Sequence, residues 1–143
     1  MSAGAFTLYN RAKRYIGDGT VKLGTNALKI RLCTSASNAE TLTLSLLSEV
    51  TNEIGAAGGY AAGGRSLLSM VWTVGASAKS FKLDAADMVF TASGSALTNV
   101  KYAVIGATTK ALCWSKLSTA QFTVASPNTL TIQFNSLGIL TLA

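Results

Sequence analysis

"GAAGGYAAGGRSLLSMVWTV", residues 55–74, joins a glycine-rich loop to an alternating apolar run, and the reading of that junction decides the fold. From Gly59 it spells G-x-x-x-x-G-R-S, one residue away from the nucleotide-binding pattern G-x-x-x-x-G-K-[ST]. A phosphate cradle needs a buried strand before the loop and a helix after it, whose positive N-terminal end faces the phosphates. Here Leu68, Met70, Trp72 and Val74 alternate with Ser69, Val71 and Thr73, which is the period of a strand. The preceding Ser48-Glu49-Val50-Thr51-Asn52-Glu53-Ile54 is too polar for a buried parallel strand. Arg65 does not replace the lysine, because a planar fork and a compact ammonium bind differently. The loop is therefore a backbone device that uses glycine for positive φ or close approach.

The rest of the chain repeats that strand period. Leu28, Ile30 and Leu32 alternate with Lys29 and Arg31, predicting a half-buried antiparallel strand with a basic outer face. Residues 21–23 are its expected partner across Gly24-Thr25-Asn26. Further strands are predicted around 66–74, 79–83, 87–91, 98–106, 110–115, 120–125, 129–134 and 138–142. Ser126-Pro127-Asn128-Thr129 supplies turn chemistry for a hairpin between two of them. One helix is expected, over residues 6–16, with Thr7 as N-cap and Gly17-Asp18-Gly19 as its stop. Leu8, Tyr9, Ala12, Tyr15 and Ile16 form its apolar side, and Arg11, Lys13 and Arg14 lie opposite. The pattern predicts one all-β domain over 1–143, an antiparallel β-sandwich or jelly roll. Residues 1–17 carry the N-terminal helix, and 34–64 form a long Gly/Ser/Thr-rich loop or arm, a length usually tied to function.

Composition narrows the function. Charged residues are only 13% of the 143, and 17 Thr and 15 Ser supply the polarity, which suits a surface partly covered in an assembly. The net charge of +6 is concentrated in residues 1–31, where six basic residues face Asp18 alone. Such a segment points to an acidic partner surface or to a solvated basic face. It lacks the density of a nucleic-acid arm, and no nucleic-acid-reading signature is present, so direct nucleic-acid binding is not expected. Residues 117–143 carry no charge, yet 13 of the 27 are Ser, Thr, Asn, Gln or Pro, so a membrane span is not expected. No secretory signal is visible, and synthesis as a soluble cytosolic protein is the expectation. Cys33 and Cys113 then read as free core thiols, with a disulfide as the alternative.

The chemistry of catalysis finds little footing. With no histidine, the commonest general base and metal ligand are missing, and neither cysteine has an activating partner. Asp84 and Asp87 read as a solvated turn, and Trp72 and Trp114 as core residues. No enzyme activity, cofactor or metal is expected.

Several stretches together resemble a family of small virion proteins of tailed bacteriophages. "YNRAKRYIGDGTVKLGTNALKIRL" (9–32) is similar to the family's opening, a short helix leading through an Asx/Gly turn into a strand. "SEVTNEIGAAGGYAAGG" (48–64) resembles its segment of pattern nE…GY..GG, and "NVKYAVIG" (99–106) and "TLTIQFNSLGILTLA" (129–143) its later strands. Glu53, Gly59-Tyr60 and Gly63-Gly64 are the most specific parts. The resemblance implies a non-catalytic component of the virion, most similar to cement (decoration) proteins that clamp subunits of the major capsid protein. It implies assembly in the host cytoplasm and a homo-oligomer, in the first instance a dimer. A tail, neck or baseplate subunit and a carbohydrate- or receptor-binding sandwich are the alternatives. Candidate interface residues are Arg11, Lys13 and Arg14 on the helix, with Tyr60 and Arg65 at the glycine loop. Tyr60 is either the loop's anchor on a partner or a plug in its own core.

Overall fold

The alternation Leu28-Lys29-Ile30-Arg31-Leu32 becomes a strand with Leu28, Ile30 and Leu32 fully buried. The structure is a computed structural model, and it describes residue 3 and residues 6–142. The chain runs β1 (Thr7–Leu8), α1 (Asn10–Gly17), β2 (Leu28–Cys33), a 3-10 turn (Leu47–Glu49), β3 (Arg65–Ser66), β4 (Val71–Val74), β5 (Phe81–Asp84) and β6 (Met88–Thr91). It continues through β7 (Leu97–Val100), β8 (Tyr102–Ala107), β9 (Lys110–Lys116), β10 (Phe122–Val124), β11 (Thr129–Ile132) and β12 (Leu140–Leu142). The fold is mostly β, and every strand pair described is antiparallel.

The strands divide among a five-stranded sheet, β1-β9-β8-β2-β3, a three-stranded sheet, β12-β5-β4, and two ribbons, β10-β7 and β11-β6. Both ribbons and both sheets bury side chains in one continuous core, from Ile30 and Ile105 to Leu83, Phe90, Leu97 and Ile132. In the large sheet Ile30 faces Ile105, and Ile105 faces Cys113, so the three central strands present one apolar face. All six residues of β8 are buried, which means that its second face is covered as well.

The cover is the segment expected to be an arm. Residues 39–47 of it lie against β8 and β9 and residues 52–54 run along the end of β2, so the segment does not project. Leu46 bridges to Lys110, the Leu47 N–H donates to the Thr109 carbonyl at 2.8 Å, and the Tyr102 hydroxyl donates to Glu40 at 2.7 Å. Ala39, Leu44, Leu47 and Ile54 are buried there. Their spacing matches no strand or helix period, but burial of irregularly spaced apolar side chains holds a loop as firmly as a regular element.

Four further expectations are corrected. The helix starts at Asn10, because Thr7 and Leu8 pair as a strand with Trp114 and Cys113, and no side chain caps it at Tyr9. The stop at 17–19 holds: the Asp18 N–H returns to the Arg14 carbonyl and Asp18 accepts from Thr20. Residues 21–23 do not pair with β2; the Val21 N–H bonds the Tyr15 carbonyl and buries Val21 under the helix end. The run 66–74 breaks at Ser69, whose φ of 53° resets the alternation, so Leu67 is buried and Leu68 exposed; beyond it Met70 and Trp72 pack half-buried on the core, and Val74 at the strand end is exposed. The turn at 126–129 closes through Asn128 N–H to the Ala125 carbonyl, but its arms separate: β10 joins β7, and β11 joins β6.

Candidate functional site

The glycine loop owes its shape to two close approaches. Gly64 has φ +84°, and a Cβ there would stand 2.0 Å from the Ile30 carbonyl oxygen. Gly58 has φ +64°, and its Cβ would meet the Ser95 carbonyl oxygen at 2.7 Å. Only glycine satisfies both backbone and space at such points. The loop leads into the two-residue strand β3 and not into a helix, so it has no positive helix end with which to cradle phosphate.

Glu53 closes the loop. Its Oε1 accepts from the Tyr60 hydroxyl at 2.6 Å and from the Gly63 N–H at 2.8 Å, while its backbone bridges Cys33 at the end of β2. The Tyr60 oxygen accepts in turn from the Leu32 N–H at 3.1 Å. The ring is 5% exposed and lies 6.0 Å from Phe90. Burial, and then the hydrogen bond to Glu53, push the phenol well above its ordinary range, so it remains a donor. Tyr60 is thus the plug of its own core and is not available as an anchor for a partner. Arg65 is also committed: its guanidinium donates to the Val89 carbonyl and lies 5.0 Å from the Phe90 ring centroid.

The helix cations stand apart from this clasp. Arg11, Lys13 and Arg14 are exposed on the outer side of α1, while Tyr9 and Ala12 are fully buried on the inner side. Arg14 lies 3.7 Å from Asp18, an exposed pair worth little. Lys13 has no ion pair among the described residues. The structure therefore brings Tyr60 and Arg65 together beside Phe90, and leaves the three helix residues as a separate outward basic face.

Sequence reasoning missed two features. Leu68, Val71, Val74 and Phe81 are all exposed on or beside β4 and β5. Trp72 and Trp114 pack against the core as expected but at its margin, half-buried: Trp72 stacks on Phe81 at 6.0 Å, and Trp114 meets the edge of Tyr102 at 6.2 Å. The Trp114 indole N–H is buried without a partner among the described residues.

Reactive groups are held inert. Cys33 and Cys113 are free and buried, and desolvation raises Cys33 to about 11 and Cys113 further, so both remain thiols at neutral pH. Asp84 pairs with Lys82 at 3.5 Å, and Asp87 accepts the Phe134 N–H at 3.0 Å. Among the described residues no group of His, Cys, Asp and Glu is placed to hold a metal, and no helix is long and apolar enough to cross a membrane. No protein family, characterised protein or solved structure matches the chain.

Proposed function

We propose that the chain is a non-enzymatic structural protein of a bacteriophage virion, a cement protein that binds the assembled capsid lattice and holds adjoining subunits of the major capsid protein together. One observation carries the reading. The residues on which the resemblance to phage virion proteins rests most specifically, Glu53, Gly59-Tyr60 and Gly63-Gly64, cluster in one structural clasp and not around a reactive centre. A sequence pattern devoted to a rigid scaffold suits a protein whose work is attachment. The outward basic face of Arg11, Lys13 and Arg14 is the contact element, and the strands around the common core form the two layers of a sandwich or jelly roll.

The mechanism is differential binding. Contacts spanning several neighbouring capsid subunits exist only in the mature lattice, so each attached copy lowers the free energy of that state alone. A homodimer strengthens attachment because its second contact forms at high effective concentration. Sedimentation of the purified protein tests that state directly. The protein would reside in the virion, assembled in the host cytoplasm.

The second reading is a tail, neck or baseplate subunit of the same particle. Labelling on purified particles separates the two, since heads would carry many copies and tails few. A carbohydrate-binding reading draws less support, because Tyr60 is buried and Trp114 half-buried, leaving neither as an open stacking platform.

A further inference from the structure

A cleft of about 340 Å³ opens between the basic face of β2 and the covering segment, walled by Lys29, Arg31, Leu47, Gly63, Gly106 and Thr108. Its volume falls at the small end of ligand pockets, which span about 300–1,000 Å³. Three independent features set it apart from an accidental gap.

The first is an under-used guanidinium. Arg31 reaches Glu53 only at 4.0 Å, and its Nε is buried with no hydrogen-bond partner among the described residues. The Glu53 carboxylate is engaged elsewhere, since its other oxygen already takes two donors, the Tyr60 hydroxyl and the Gly63 N–H. A buried donor without an acceptor costs free energy, which a ligand relieves once the side chain turns to meet it. The second feature is Lys29, two residues away on the same face of β2, exposed and without an ion pair among the described residues. The third is the wall. Leu47 packs closely on Gly106, where a Cβ would stand 2.6 Å from it, so an aliphatic side chain lines the cleft beside the two cations.

We propose that this cleft binds a carboxylate, the side chain of an acidic residue on a protein partner, with Arg31 presenting its fork and Lys29 adding a second charge. An arginine fork matches the two oxygens of a carboxylate, and a cleft with low-dielectric walls strengthens the attraction. The aliphatic wall of Leu47 suits the methylenes of glutamate. That the partner is a protein rests on the proposed structural role; the carboxylate chemistry rests on the cleft alone.

The test titrates ¹⁵N-labelled full-length protein at constant ionic strength with acetyl-Gly-Glu-Gly-amide, with its Gln counterpart, and with inorganic phosphate. The readouts are the Arg31 Nε–H signal and the amides of Gly63 and Gly106. The expected result is saturable shifts with the glutamate peptide and none with the glutamine one. Lys29→Gln, a surface change that leaves the fold alone, should weaken binding roughly tenfold, the size of one charge-assisted hydrogen bond. Arg31→Gln should abolish it. No saturable shift with the glutamate peptide overturns the proposal, as does saturation by phosphate alone, or an affinity unchanged in Lys29→Gln. A protein that attaches to particles yet ignores the glutamate peptide would lose this site and keep its proposed function.

Discussion

The Tyr60 hydroxyl donates to Glu53 Oε1 at 2.6 Å, and through this contact a ten-residue glycine loop is fastened to the end of β2. The same oxygen accepts the Leu32 N–H, so one phenol serves a half-buried carboxylate and a buried amide. Tyr60→Phe keeps the ring and removes both bonds. It should cost about 1–3 kcal/mol, the usual range for stranding a buried polar group. Urea unfolding followed by tryptophan fluorescence measures this, and an unshifted midpoint would show that the clasp contributes nothing.

Gly64 and Gly19 share a positive φ but differ in surroundings. A Cβ at Gly64 collides with the Ile30 carbonyl at 2.0 Å, whereas one at Gly19 meets nothing within 4 Å. Gly19→Ala should therefore cost only the left-handed strain, roughly 1–2 kcal/mol. Gly64→Ala should cost much more, because β2 and the loop must part. Comparing the two melting temperatures isolates the collision, and equal losses would refute it.

The contrast between those glycines marks how far the sequence could be read. The strand content, the antiparallel pairing of β2 and the helix stop at Gly17-Asp18-Gly19 came from local periodicity and turn chemistry. Partner choice did not. Pro127 announces a turn, but nothing local tells β10 to pair with β7 and β11 with β6. The alternation held at Met70 and Trp72, which pack on the core, but failed at Leu68, because a left-handed Ser69 resets the period between them. At the site, Glu53 and Tyr60 were visible as specific residues. Their contact spans a loop and needed tertiary structure to be seen. Arg31 gave no separate signal, being an ordinary basic residue on the outer face of a strand.

Acid should loosen the covering segment. Glu49 accepts the Leu46 N–H at 3.0 Å and the Ser45 N–H at 2.7 Å, and these bonds hold its carboxyl below the usual range. Glu40 is lowered in the same way, first by the Tyr102 hydroxyl and then by Lys116. A folded pKa below the unfolded one adds stability that is fully present above the unfolded value and is lost as pH falls through the folded value. Melting temperature should thus decline from near pH 5 downward, and Glu49→Gln should flatten that decline. An identical pH profile in the variant would contradict it.

Both thiols should be silent in the native state. Cys33 and Cys113 are fully buried, and desolvation disfavours the thiolate at each. Thiol labelling at pH 8 should proceed at the rate of unfolding and accelerate in denaturant. Rapid labelling of either cysteine in buffer would show that the core opens locally.

The outward face of α1 should matter for attachment and not for folding. Charge reversal at Arg11, Lys13 and Arg14 changes exposed side chains, and each substitution should shift stability by no more than about 0.5 kcal/mol. The triple variant should bind stripped particles more weakly than the parent, and parental binding should weaken as salt rises. Cosedimentation with particles at two ionic strengths reads both effects, and undiminished binding by the triple variant would remove the helix from the interface.

Heating purified particles before and after removal of this protein, while monitoring release of packaged DNA, tests the central claim most directly. Particles carrying the protein should retain DNA to a higher temperature than stripped ones, and adding the purified protein back should restore the difference. Release at the same temperature with and without it would contradict a capsid-stabilising role.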